Sequence, residues 1–138
     1  MKTLQGSCHC QNIQLEAGLT ASPEMIQPRA CDCDFCVKHH ATYISDPHGS
    51  LRIKYSDESL LGFYKQGSET AEFLFCNSCG ILVGVIYKTA SGTYGALNSH
   101  VLEARFADEL SASPKRLAKD AKTQRWQEVW FSNVLIGP

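Results

Sequence analysis

Phe73-Leu74-Phe75-Cys76-Asn77-Ser78-Cys79-Gly80-Ile81-Leu82-Val83-Gly84-Val85-Ile86-Tyr87 is the stretch whose reading decides the fold. Phe73 and Phe75 alternate with other residues at the period of a strand. Ile81 to Tyr87 is a continuous apolar run of strand length, which suits a more buried strand. Between them, Cys76 and Cys79 require a tight turn that brings residues i and i+3 together and aims backbone N–H groups at the sulfurs. Gly80, directly after, tolerates φ > 0. A turn that presents two thiols side by side is suited to a metal ion.

Outward from this stretch the same alternation recurs at Ile13 and Leu15, at Tyr43, and at Leu51, Ile53 and Tyr55. A further strand is expected at Tyr94 to Leu97, after a turn at Ser91 and Gly92. Turns are also expected at Asp46-Pro47-His48-Gly49 and at Gln66-Gly67-Ser68. Only the end of the chain reads as helix: Ser113 can cap, Pro114 fits the first position, and helix formers run to about Glu128. The expected fold is mainly β with one C-terminal helix over about 114–128. The 138 residues suit a single domain over 1–138, and no stretch has linker composition. With 43% hydrophobic and 20% charged residues, disorder and fibrous repeats are excluded.

The polar opening from Met1 to Ser7 does not read as a secretory signal, and the apolar run at Ile81 to Tyr87 is far too short to span a bilayer. A soluble, cytoplasmic protein is expected, with no membrane partner. A reducing compartment disfavours disulfides, and the odd count of seven cysteines leaves one unpaired under any full disulfide scheme. The cysteines fall in three groups: Cys8-His9-Cys10, Cys31-Asp32-Cys33-Asp34-Phe35-Cys36, and Cys76 with Cys79. In an extended segment residues i and i+2 face one side, so each C-x-C pair can offer both sulfurs to one ion.

Zinc takes four protein ligands at structural sites and leaves a position open at reactive ones. Seven cysteines divide as four plus three, with Cys8, Cys10, Cys76 and Cys79 closed and Cys31, Cys33 and Cys36 open. A competing arrangement closes the triplet with His39, His40 or His48. Seven thiolates remove seven charges and two divalent ions return four, taking the formal charge from −1 to −4. Diffuse attraction to nucleic acid is therefore not expected. The basic run Lys115, Arg116, Lys119, Lys122 and Arg125, interrupted by Asp120, reads as a solvated helix face in preference to a polyanion patch.

These residues resemble the glutathione-dependent formaldehyde-activating enzymes, a family that includes centromere-protein-V-like members. The resemblance rests on Gly6-Ser7-Cys8-His9-Cys10, the Cys31 to Cys36 triplet, Phe75-Cys76-Asn77-Ser78-Cys79-Gly80, and Asn98 with Leu102, over roughly 5–103. It implies an Mss4-like fold of small antiparallel sheets and the same four-plus-three division of zinc ligands. It also implies the joining of glutathione to formaldehyde as S-hydroxymethylglutathione, a carbon–sulfur lyase reaction. Three positions depart from the pattern: Gln11 and His40 stand where glycine is common, and Asp34 where serine is frequent.

A zinc held by three thiolates acidifies bound water less than a three-histidine site does, so a soft thiol is a better fourth ligand than water. The expected partners are a glutathione-like thiol and a small aldehyde. Asp34, His39 and His40 are the candidate catalytic proton donors. Two other classes fit the same residues: a thiol carrier or zinc-binding module without turnover, and a chromatin-associated zinc module that uses the basic run.

Overall fold

The structure is a computed structural model that describes residues 1–66 and 70–138. A four-stranded sheet has the order β1-β2-β5-β11, from β1 (Lys2–Ser7), β2 (Ile13–Leu19), β5 (Ser50–Tyr55) and β11 (Val134–Gly137). A seven-stranded sheet has the order β10-β3-β4-β9-β8-β7-β6. Its strands are β3 (Arg29–Cys31), β4 (Thr42–Ile44), β6 (Leu61–Tyr64), β7 (Glu72–Cys76), β8 (Leu82–Thr89), β9 (Gly92–Asn98) and β10 (Leu110–Ala112). Among the described residues there are two α-helices, α1 (Asp34–His39) and α2 (Lys119–Val129), and short 3-10 turns. The fold is mainly β, its sheets are largely antiparallel, and a helix stands near its C-terminus, as expected. Parallel pairing occurs where β10 meets β3 and where β11 meets β5.

Side-chain alternation explains the first sheet: Ile13, Leu15, Ile53 and Leu51 point inward while Gln14, Arg52 and Lys54 face solvent. β8 lies between β7 and β9 and is buried from Leu82 to Ile86, which accounts for its unbroken apolar run. Two hydrophobic clusters result. One joins the sheets through Ile13, Leu15, Ile53, Leu74, Ile86 and Phe131, and it includes Cys8 and Cys76. The other packs Trp126 and Trp130 against Tyr43, Phe73, Val85 and Ala96, and it includes Cys36. Each cysteine group is thereby rooted in a different core.

The turn at Asp46 to Gly49 is present, closed by Gly49 N–H to the Asp46 carbonyl at 3.0 Å. Of the expected turn at Gln66-Gly67-Ser68, Gly67 and Ser68 lie outside the described residues. The C-terminal helix is shorter than 114–128. A single 3-10 turn covers Pro114–Arg116, Leu117 is extended, and α2 begins only at Lys119. Ser113 does not cap it, because the Ser113 hydroxyl donates to Asp32 Oδ2 at 2.7 Å. A second helix, α1, occupies a stretch that sequence periodicity leaves unassigned. Cys33 is its N-cap and accepts from Cys36 N–H at 3.4 Å, Asp34 is in its first turn, and Lys38 and His39 are in its last.

Gly6, two residues before Cys8, shows why a position there must be small. A Cβ there would stand 2.2 Å from the Val101 carbonyl oxygen, where β1 pairs with Leu102. The same junction is tied by Glu103 N–H to the Gln5 carbonyl, and Asn98 Nδ2 holds the Leu82 carbonyl at 2.9 Å. Gly6, Asn98 and Leu102 therefore serve the frame around the cysteines rather than the chemistry.

Candidate metal centres

The four-cysteine group is assembled by two loops of the same construction. Cys8 N–H donates to the Ile13 carbonyl and Cys76 N–H to the Ile81 carbonyl, both at 3.0 Å, so each loop is closed across five residues. Inside the first, Gln11 N–H returns to the Cys8 carbonyl at 3.2 Å, with Gln11 at φ 68°. Inside the second, Gly80 N–H returns to the Cys76 carbonyl at 2.8 Å, with Gly80 at φ 80°. The left-handed residue is what turns the chain back in each case. Cys8 and Cys10 thus sit in a turn and not in the extended segment the C-x-C spacing suggests, because Gln11 reverses the chain immediately after them.

The four Sγ atoms lie within 4.8 Å of one another, with Cys8 to Cys10 at 3.7 Å and Cys10 to Cys76 at 3.6 Å. Four sulfurs each about 2.3 Å from one ion in a tetrahedron are separated by about 3.8 Å. The chemistry of the donors points the same way. Burial pushes the Cys8 thiol up to about 12, while the Asn12 backbone N–H lowers Cys10. Burial opposes ionisation of Cys79 as well, yet backbone N–H groups at Cys10 and Ile81 bring it down to about 6. Four crowded thiols cannot all ionise alone, and a divalent cation removes that conflict.

Cys31, Cys33 and Cys36 form the second group, again with all sulfurs within 4.8 Å. Cys31 ends β3, Cys33 caps α1 and Cys36 lies in its first turn, so a strand end and a helix start bring the three together. The Cys36 thiol donates to Cys31 and lowers it to about 6, while hydrogen bonding to Cys31 and burial raise Cys36 itself. Tyr43 Oη stands 3.1 Å from Cys36 Sγ, and Gln66 Nε2 stands 3.7 Å from Cys33 Sγ. Asp32, between the first two cysteines, is held by the Ser113 hydroxyl and by Lys115 at 4.0 Å. No fourth protein donor joins this group among the described residues.

In place of a fourth donor there is a cavity of about 140 Å³, far above the ~10–15 Å³ that one water requires. The triplet and Tyr43 line one side, Phe73 and Trp126 supply apolar wall, and Arg29, Lys115, Lys122 and Arg125 supply positive charge. Burial lowers the Arg29 guanidinium to about 10, and the charge of Arg125 adds to that. Both groups therefore fit a thiolate-bound metal, one with four donors and one with three.

The structure brings all seven cysteines into two clusters but places no histidine in either. His39 is exposed with its ring 4.7 Å from that of Phe35, His40 is exposed at the end of α1, and His48 is exposed in its turn. Asp34 is also exposed, and none of Asp34, His39 and His40 lines the cavity. Sequence reasoning missed Arg29, Tyr43, Trp126 and the part played by Lys122 and Arg125. A signal was present for the last three. Lys122, Arg125, Trp126 and Val129 follow the i, i+3, i+4, i+7 pattern of one helix face, and all four line the cavity.

A mainly β protein with two thiolate-rich centres is the class that fold and site define. The model of a family described as glutathione-dependent formaldehyde-activating enzyme matches residues 3–123, and the chain belongs to that family. A crystal structure of a Rhodobacter sphaeroides protein is similar, at 27% identity and a TM-score of 0.57, over 73% of this chain and 89% of that one. No curated protein matches. No helix among the described residues is long and apolar enough to cross a membrane.

Proposed function

We propose that this chain binds two zinc ions, one held by Cys8, Cys10, Cys76 and Cys79 and one by Cys31, Cys33 and Cys36, and that it adds a glutathione-like thiol to formaldehyde or another small aldehyde. The observation that carries this reading is the contrast in donors. Three sulfurs converge on the wall of a cavity, whereas the other group already has four sulfurs, a full tetrahedral set. Zinc at the triplet would keep an entering thiol deprotonated near neutral pH, as a soft ligand for a soft site.

The chain's own residues supply the rest. Phe73 and Trp126 exclude water from the cavity wall, and the cations hold an anionic ligand in place. The reaction forms a carbon–sulfur bond between thiol and aldehyde carbon, the carbonyl π bond opens, and its oxygen takes a proton. Tyr43 Oη stands 3.1 Å from Cys36 Sγ, and with Cys36 as a thiolate its one hydroxyl hydrogen goes to that sulfur and holds the ligand in place. Asp34, His39 and His40 stand outside the cavity, so their role in this scheme is to pass the proton through water at its edge.

Formaldehyde and glutathione also combine unaided, which sets the test. Exchange-resolved NMR on an equilibrium mixture should show interconversion faster with the protein than without it, and Cys33→Ser should remove the difference. Equal rates with and without the wild-type protein would leave a thiol carrier and reject the enzyme.

A further inference from the structure

We infer that Arg29, Lys122 and Arg125 make the triplet cavity selective for a thiol that carries carboxylates, which rests on the thiol-binding reading above. Four cations line this cavity, and no Asp or Glu lines it among the described residues. Among the described residues, Lys115 alone of the four has a carboxylate beside it, Asp32 at 4.0 Å. Arg29 commits Nη2 to the Ser45 hydroxyl at 2.7 Å, and among the described residues neither Lys122 nor Arg125 has a carboxylate partner. Positive groups crowded on one wall repel one another unless an anion enters.

This charge is local. The chain as a whole is formally at −1, so a basic cavity does not follow from general composition. Three thiolates with a divalent ion leave one negative charge, and three unpaired cations outweigh it. An anionic ligand is thus drawn toward a centre that would otherwise repel it. Guanidinium groups match carboxylates in shape as well as charge, through paired N–H donors. A glutathione-like peptide carries a carboxylate at each end and its sulfur between them, which suits cations at the wall and thiolates at the floor. Arg125 and Trp126 lie beyond the residues matched by the family model, so this part of the wall is a feature of this chain's own C-terminal segment.

The test uses S-methylglutathione, which keeps both carboxylates but has no free thiol, and its diethyl ester, which has neither. Trp126 and Trp130 line the cavity, so binding to the zinc-loaded protein can be read from tryptophan fluorescence. S-methylglutathione should bind at least tenfold more tightly than the diester. Arg125→Glu, and separately Lys122→Glu, should cut its affinity tenfold or more while moving the diester less than twofold. Lys122 is half-buried and Arg125 exposed, so neither belongs to the core, and unchanged circular dichroism checks that the variants fold. Equal binding of acid and ester, no binding of either, or indifference to both charge reversals overturns the inference. Failure of thiol coordination is separable: free glutathione would then leave the spectrum of the cobalt-substituted protein unmoved while S-methylglutathione still bound.

Discussion

The four-cysteine and three-cysteine centres use the same ligand and are held in opposite ways. In the first, two hairpin loops of matching construction clasp one point, and Cys8 and Cys76 belong to the core that joins the two sheets. In the second, a strand end and a short helix present three sulfurs to one side, and a separate aromatic core supports them from behind. The first is a fastener between distant parts of the chain, and the second faces a cavity. Four protein donors fill the first group although Cys10 is exposed, whereas the second has three beside open space, so the count of donors and not burial separates them.

The comparison breaks most visibly at Cys76→Ser. Apparent binding energies of structural zinc, about 10–16 kcal/mol, rival the whole stability of a domain. This variant should lose its cooperative thermal transition, and a near-native transition would show that the fastener is not needed. Cys33→Ser should behave otherwise. Its fold should persist, with zinc per chain falling from two to about one by elemental analysis, while loss of both ions would mean the centres are coupled.

A change remote from both centres sharpens the contrast. The Asp46 carboxylate accepts from Thr20 N–H at 2.7 Å, Thr20 Oγ1 at 2.6 Å and His48 N–H at 2.9 Å. Burial acts against its charge, but these hydrogen bonds prevail and hold its pKa below the ordinary carboxylate value. A depressed acid stabilises fully above the unfolded value of about 3.9 and ceases to do so as pH falls through its folded value. At pH 7, Asp46→Asn should therefore cost about 1–3 kcal/mol in denaturant melts, with both zinc ions retained.

The smallest effect concerns the non-glycine residues at positive φ among the described residues, one beside each centre: Gln11 at 68° and His40 at 52°. A left-handed conformation costs an L-residue about 1–2 kcal/mol, and glycine returns about 0.5–1 kcal/mol of that through unfolded-chain entropy. Gln11→Gly and His40→Gly should each stabilise by about 1 kcal/mol or less, measured by denaturant midpoint. A loss of stability at either would mean its side chain holds the turn.

Much of this molecule was legible in its residues. The spacing of the seven cysteines announced both centres, and alternation at Ile13, Leu15, Leu51 and Ile53 announced strands of the first sheet. The two departures from family pattern at Gln11 and His40 proved to be left-handed residues, so glycine is common there for a backbone reason. What stayed hidden depended on distant partners. α1 is too short for periodicity to reveal, and its start is set by a cysteine cap. The basic run read as solvated because nothing local tells a helix face toward water from one toward a cavity 80 residues away in sequence at Cys36 and Tyr43.

One cluster with its four donors filled, and the other taking a sulfur from outside, is the arrangement to be tested. Cobalt-substituted protein titrated with glutathione examines both at once, since sulfur-to-cobalt absorption grows with each thiolate bound. The account predicts an increase that saturates at one glutathione per chain and is absent from Cys33→Ser. An unchanged spectrum at millimolar glutathione, or the same increase in the variant, would contradict it.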